Sequence, residues 1–191
     1  MFVPDQSAPR EVLLDMDDMI CRLAFKALRI YNEDHGTSVT QDDVVSWGMP
    51  CIEYALDRPG FFDDLAPMPG AIENIERLRA SPDIRLRFIT SPWNSASAVS
   101  KYAWLARHFS WATPRFVHLT HDKWAVYGDY LLDDSPKHLT RWSTHWPTSQ
   151  ALTIAYPYNV EVPASVRRFE GYRDPAAAWA GMVDFILERV S

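Results

Sequence analysis

Residues 11–17 read Glu11-Val12-Leu13-Leu14-Asp15-Met16-Asp17, a short apolar run that gives way to two carboxylates one residue apart. Three consecutive aliphatic residues suit a strand covered on both faces, as in a parallel sheet, where an alternating pattern would mark a strand with one wet face. Open α/β sheets bind ligands at the carboxyl ends of their strands. Asp15 and Asp17 therefore face a cleft if the chain leaves the strand as a loop after Asp15.

The chain on either side repeats this logic. From Met19 to about Tyr31 the residues Ile20, Leu23, Ala24, Ala27, Leu28 and Tyr31 recur at helical spacing. Thr40 with Asp43 resembles a capping box, opening a short helix through Val44, Val45 and Trp47 that Gly48 and Pro50 stop. Residues 19–68 thus read as mostly helical. After Pro69-Gly70 comes an amphipathic helix, AIENIERLRA, then a strand at Ile84 to Thr90 and a helix from Ser95 to Phe109. Strand-like runs follow at 115–119, 130–134 and 151–156, and a last helix at Ala176 to Val190. Strands alternating with helices predict an α/β fold with a doubly wound parallel sheet.

Composition narrows the class. The 191 residues are 47% hydrophobic and 23% charged, the balance of an ordinary globular domain. A net charge of -6 argues against a broad footprint on duplex nucleic acid or anionic lipid. Cys21 and Cys51 lack metal or disulfide-framework spacing, so a reduced, cytoplasmic setting is expected. The opening MFVPDQSAPR has no apolar run and is not read as a signal peptide; no later stretch approaches the ~18 apolar residues of a membrane span.

The residues expected at strand ends are Asp15, Thr90, Asp133 and Asp134, with Lys123 nearby. Each has an ordinary alternative: acids at strand ends cap helices, Thr90-Ser91-Pro92 forms a turn, and Lys123 is a solvated lysine. Four such sites in sequence order are harder to dismiss together. Gathered in one cleft, the carboxylates would repel by about 1 to 4 kcal/mol per pair at ~4 Å. A hard cation held by oxygen ligands relieves this, and Mg²⁺ suits such a set better than zinc. His118 and His121 have metal-compatible spacing, but a strand-to-loop transition is expected between them.

Together, LLDMDDM, FITSPWN and THDKWAVYGDYLLDDSP resemble motifs one to four of the haloacid dehalogenase superfamily, and more closely of its 5′(3′)-deoxyribonucleotidases. GFFDDLAPMPGAIENIERL, KYAWLARHF and IAYPYN are similar to connecting segments of that family, extending the likeness over roughly residues 11–187. The resemblance implies a Rossmann-like core at residues 1–18 and 69–191, with a small helical cap at 19–68 inserted after the first strand. It implies Asp15 as nucleophile, Asp17 as general acid and base, and phosphate contacts from Thr90, Ser91 and Lys123. Mg²⁺ would be held by Asp15, the Asp17 carbonyl and one of Asp133 and Asp134, with Asp134 favoured.

A nucleoside monophosphate is the substrate the resemblance implies. Phe61 and Phe62 are candidates for base stacking, although packing of cap on core explains them equally; Leu23, Trp93 and Asn94 are further pocket candidates. A homodimer is implied by the resemblance alone. Two departures stand out: Asp18 occupies a position where the family usually has glycine, and Trp93-Asn94 and His121 stand where basic residues are common. Rivals are the same chemistry on a sugar phosphate or polynucleotide end, and a catalytically silent member that binds nucleotide or a protein partner.

Overall fold

The computed structural model describes residues 8–190. Residues 1–7, which carry most of the opening segment read for targeting and the start of the core assigned to 1–18, lie outside the described residues, as does Ser191.

Six strands, β1 (Arg10–Leu14), β2 (Ile84–Thr90), β3 (Val117–Leu119), β4 (Tyr130–Leu132), β5 (Gln150–Ile154) and β6 (Arg167–Phe169), form one sheet in the order β3-β2-β1-β4-β5-β6. Every pairing is parallel. The α-helices are α1 (Leu23–His35), α2 (Pro50–Leu56), α3 (Ala71–Arg79), α4 (Ser95–His108), α5 (Pro136–His145) and α6 (Pro175–Val190). Side chains alternate across a strand, and both sides of β1 are covered. Leu13 packs with Leu131, Ile89 and the α5 residues Leu139 and Trp142. Val12 and Leu14 belong to a larger core with Leu78 of α3, Trp104 of α4 and Trp179 and Met182 of α6. The fold is the expected doubly wound α/β arrangement. Between β1 and β4 the strand order reverses, which opens a crevice at the carboxyl ends of those two strands.

The elements differ from expectation where backbone conformation overrides periodicity. α1 begins at Leu23 and not Met19, because Asp18 sits in the left-handed region at φ 48° and the amides of Ile20 and Cys21 both turn back to the Met16 carbonyl. Arg22, at the N-cap of α1, offers no side-chain acceptor. The Asp18 carboxylate takes that task, accepting from the Ala24 amide at 3.0 Å. The capping box at Thr40 and Asp43 forms, but it opens only a 3₁₀ turn at Gln41–Asp43. Val45 and Trp47 remain exposed, so continuing that turn would bury no apolar face. Pro50 starts α2 where it was expected to end a helix, since proline lacks a hydrogen that the first helical turn leaves unused. β6 escaped notice because two of its three residues are arginines, a composition that suits a sheet edge.

α1 and α2 pack together, and the segment 19–68 contains no named strand. Met68 and Arg22 fasten its two ends, through bonds from the Met68 amide to the Ile20 carbonyl and from the Arg22 amide to the Ala66 carbonyl.

Gly70 opens α3 at φ 78°, and a Cβ there would lie 2.6 Å from the Ala176 Cα of α6. Gly70→Ala is expected to destabilise the fold by roughly 2 kcal/mol or more from backbone strain and overpacking. In thermal denaturation this is a drop in Tm of roughly 4–8 °C for a chain of this size; an unchanged Tm would refute the close packing of α3 on α6.

Candidate active site

Asp15 is the first residue after β1, and Asp133 and Asp134 are the first two after β4, its neighbour at the switch point. Adjacent strand ends therefore deliver three buried carboxylates to one place, each offering an oxygen within 4.8 Å of the others. Thr90 ends β2 on the other side of β1 and is also buried. Lys123 enters from the 3₁₀ turn Lys123–Ala125 between β3 and β4. Its ammonium lies 2.6 Å from Asp15 Oδ1 and donates to Asp133 Oδ2 at 2.7 Å. One lysine thus serves two acids.

The two acids after β4 are held differently. Both oxygens of Asp133 are occupied, Oδ2 by Lys123 and Oδ1 by the Ser135 amide at 2.9 Å. Asp134 accepts the Tyr158 hydroxyl on Oδ2 at 2.8 Å, while Asn159 donates to its carbonyl. Burial drives the Asp134 carboxyl well above the usual carboxylate range, and the nearby Asp15 and Asp133 push it further. Asp15 is raised by burial against the opposing pull of Lys123. Although Asp15 Oδ1 lies against Lys123, it meets no donor with hydrogen-bond geometry. This excess of buried negative charge, presented wholly on oxygen, fits a small hard cation. Among the described residues no other group of three or more His, Cys, Asp and Glu has metal-binding proximity, and His118 and His121 belong to none.

Asp17 points into the same space. Burial raises its carboxyl, and Lys101 opposes the shift. Lys101, 1% exposed on α4, contacts Asp17 Oδ2 and donates to Thr90 Oγ1 at 3.2 Å and to the Ser91 carbonyl at 2.7 Å. Sequence reading passed over it as part of a connecting helix. Its signal was a lysine on the inward stripe Ser97, Lys101, Trp104 and Leu105. Tyr158 carried no comparable local signal.

A cavity of about 480 Å³ opens from these polar groups. Asp15, Asp17, Ser91, Lys123 and Asp134 line one end; Leu23, Trp47, Ile52, Leu56, Phe62 and Trp93 supply apolar walls. Trp93 donates to Asp57 at 2.6 Å and so joins the loop after β2 to the end of α2. Trp47, absent from the sequence candidates, packs 5.5 Å from the Tyr158 ring. Three expectations change. Phe61 does not line the cavity: it is buried against Phe62 and under the Lys26 ammonium. Asn94 caps α4 by accepting from the Ser97 amide. The Ser91 hydroxyl is already spent on the Thr120 carbonyl at 3.0 Å, with His138 Nε2 at 3.4 Å, so it is not poised to donate to a ligand.

The family model described as 5′ nucleotidase, deoxy (pyrimidine), cytosolic type C protein matches residues 10–189. The chain belongs to this family. Among relatives of this nucleotidase family member, the cytosolic 5′(3′)-deoxyribonucleotidase of Homo sapiens is 32% identical over 125 residues, 62% of this chain and 60% of that protein. The mitochondrial 5′(3′)-deoxyribonucleotidase of Mus musculus is 28% identical over 127 residues, 65% of this chain and 56% of that protein. The matched region thus spans less than two thirds of each relative. A haloacid dehalogenase-like family hydrolase from Xanthomonas campestris shares the fold, with a TM-score of 0.51 at 15% identity over 95% of this chain and 99% of that one. No helix among the described residues is long and apolar enough to cross a membrane.

The electrostatics fix the sign of a pH effect for the metal-free protein. Burial pushes Asp18 up to about 8 from 3.8, with the Ala24 amide pulling back, so between those values the folded chain binds more protons than the unfolded one. Stability therefore falls as pH rises through that interval. His138, lowered to about 4 by burial, contributes the opposite slope, but only up to its ordinary value of 6.5. From pH 6.5 to 8 the free energy of unfolding in a chelator is expected to fall, by up to about 1.4 kcal/mol per pH unit for each proton lost, and the unfolding midpoint with it. Asp18→Asn, which keeps an acceptor for Ala24, should flatten part of that slope. A rising midpoint over this window would contradict the assignment.

Proposed function

We propose that this protein is a Mg²⁺-dependent phosphomonoesterase that hydrolyses (deoxy)nucleoside monophosphates through an aspartyl-phosphate intermediate. The observation that carries the reading is Asp15 at the floor of an apolar-walled cavity, paired with Lys123 and faced by Asp17. A nucleophile, a separate carboxyl able to hold a proton and a fixed cation are the minimum set for a two-step displacement at phosphorus.

In the first step an Asp15 carboxylate oxygen attacks phosphorus as the bond to the nucleoside oxygen breaks. Asp17, raised by burial, gives its proton to that departing oxygen. In the second, Asp17 takes a proton from water as the water attacks phosphorus, the acyl-phosphate bond breaks and Asp15 is regenerated. The Thr90 hydroxyl accepts from Lys101 and so is free to direct its own hydrogen to a phosphoryl oxygen. Ser91 contributes its backbone amide in place of the committed hydroxyl. Lys123, 2.6 Å from Asp15 Oδ1, opposes the rise that burial imposes on the Asp15 carboxyl and so favours its ionised, nucleophilic form. Mg²⁺ would be held by Asp15, the Asp17 carbonyl and Asp134, whose Oδ1 no hydrogen bond engages among the described residues, with Asp133 supporting through Lys123. When bound, the ion neutralises the clustered carboxylates and polarises the phosphoryl group.

Residues 19–68 serve as a cap in this reading. α1 and α2 bring Leu23, Ile52 and Leu56, and the connection between them Trp47, to the wall opposite the polar groups, which leaves an apolar-walled space suited to a nucleobase. With the phosphate anchored at Asp15, Trp47, Phe62 and Trp93 are the stacking surfaces.

With Mg²⁺ present, deoxynucleoside monophosphates should be dephosphorylated in preference to sugar phosphates and polynucleotide ends in a phosphate-release panel. The reverse order would sink the substrate assignment. Asp15→Asn should abolish turnover while the protein stays folded; full activity in that variant would sink the mechanism. Trp47→Ala should raise KM for nucleotides roughly tenfold with kcat little changed, the effect of losing one stacking contact.

A further inference from the structure

Buried ammonium groups are expensive: taking the ion out of water carries a penalty of several kcal/mol unless its partners repay it. Lys101 lies on the inward face of α4, where packing alone would favour leucine or methionine. Its three hydrogens meet three acceptors, Asp17 Oδ2, Thr90 Oγ1 and the Ser91 carbonyl. The Phe62 ring, centred 5.1 Å away, closes the remaining side. The ammonium is saturated, and two of its partners are groups that the proposed reaction needs in one orientation.

Each contact has a directional result. Lys101 holds Oδ2 of Asp17, which leaves Oδ1, met only by a long contact from the Cys21 thiol at 3.9 Å, as the oxygen that exchanges a proton. On Thr90 it occupies a lone pair of the hydroxyl, which turns the hydroxyl hydrogen away from Lys101 and leaves it free for a ligand oxygen. The contact with the Ser91 carbonyl fixes the loop that follows β2, and with it the Ser91 amide. Lys123 makes no bond to Asp17 or Thr90; its partners are Asp15 and Asp133. The two buried lysines thus divide the site, one to each acid of the Asp15-Met16-Asp17 motif.

We propose that Lys101 is the positioning residue for the proton transfers of Asp17, holding that carboxyl and the Thr90 hydroxyl in register with the phosphate. This rests on the phosphatase reading above. In the first step the proton moves from Asp17 Oδ1 to the leaving oxygen, and Lys101 stabilises the carboxylate left behind. In the second, a water proton returns to Oδ1. Lys101 keeps all three of its protons throughout.

The test compares Lys101→Met with the unaltered protein on two esters in Mg²⁺: a deoxynucleoside monophosphate, whose alkoxide leaves only with a proton, and 4-nitrophenyl phosphate, whose phenolate leaves without one. Expected is a fall in nucleotide kcat of about a hundredfold or more, the scale of general acid catalysis, with KM changed less than about threefold. The first-turnover burst of nitrophenolate should stay within about fivefold of the unaltered protein, followed by a slow steady state, because hydrolysis of the intermediate still needs Asp17 as base.

Parallel losses on both esters, or a nucleotide kcat within about threefold of the unaltered protein, would overturn the proposal. Thermal melts accompany both measurements, and Lys101→Gln, which retains two donors, replaces the methionine variant if that one does not fold. Failure of both to fold assigns Lys101 to the scaffold and equally overturns the idea. If the unaltered protein cleaves the nitrophenyl ester but no nucleotide, only the substrate class falls, and glycerol phosphate takes the nucleotide's place in the comparison. Cleavage of neither ester defeats the phosphatase reading and this proposal together.

Discussion

Like charge brought together in a dry place is the constraint on which the rest of this structure depends. Asp15, Asp133 and Asp134 converge because β1 and β4 are neighbours whose ends both point into the crevice where the sheet reverses direction. Nothing about three buried carboxylates favours folding. They persist because Lys123 neutralises part of their charge, Tyr158 and the Ser135 amide donate to them, and the large core beneath, with three fully buried tryptophans, supplies a surplus of stability.

Much of this was legible in the residues. The apolar run before Asp15 identified a central strand, and the matching run Tyr130-Leu131-Leu132 before Asp133 placed a second strand whose end could meet the first. Thr90 ends β2 and Lys123 begins the turn after β3, and both are buried. Their legibility has a physical basis, since strand ends in a parallel sheet are fixed by backbone register, which leaves little freedom for the residue that follows.

What stayed hidden depends on tertiary approach. Lys101 looks like any helical lysine until α4 is laid against β2, and Tyr158 reaches Asp134 only through the turn after β5. The bond of the Ser91 hydroxyl was not legible because its partner, the Thr120 carbonyl, lies 29 positions away. Asn94 was drawn toward the site by its place after Thr90-Ser91 and Phe61 by the resemblance of its segment, yet Asn94 caps a helix and Phe61 packs against Phe62, the alternative that packing of cap on core had offered. Asp18 is the instructive departure: a side chain where φ is positive is strained, but its carboxylate caps α1 in place of Arg22 and its carbonyl accepts the Tyr156 hydroxyl at 2.6 Å. The strain is offset by bonds that glycine could not make through a side chain.

The distribution of tryptophan gives the molecule an optical asymmetry. Trp104, Trp142 and Trp179 are wholly enclosed, each with its indole nitrogen bonded to a main-chain carbonyl, so their emission belongs to the core and should be indifferent to events in the crevice. Trp47 and Trp93 are 38% and 44% exposed and stand on the cavity's rim. Whatever enters between them displaces water from just these two indoles. Trp111, Trp124 and Trp146 are partly exposed too but do not line the cavity, so it is the change in red-edge fluorescence on filling the cavity, and not the red edge itself, that belongs to Trp47 and Trp93.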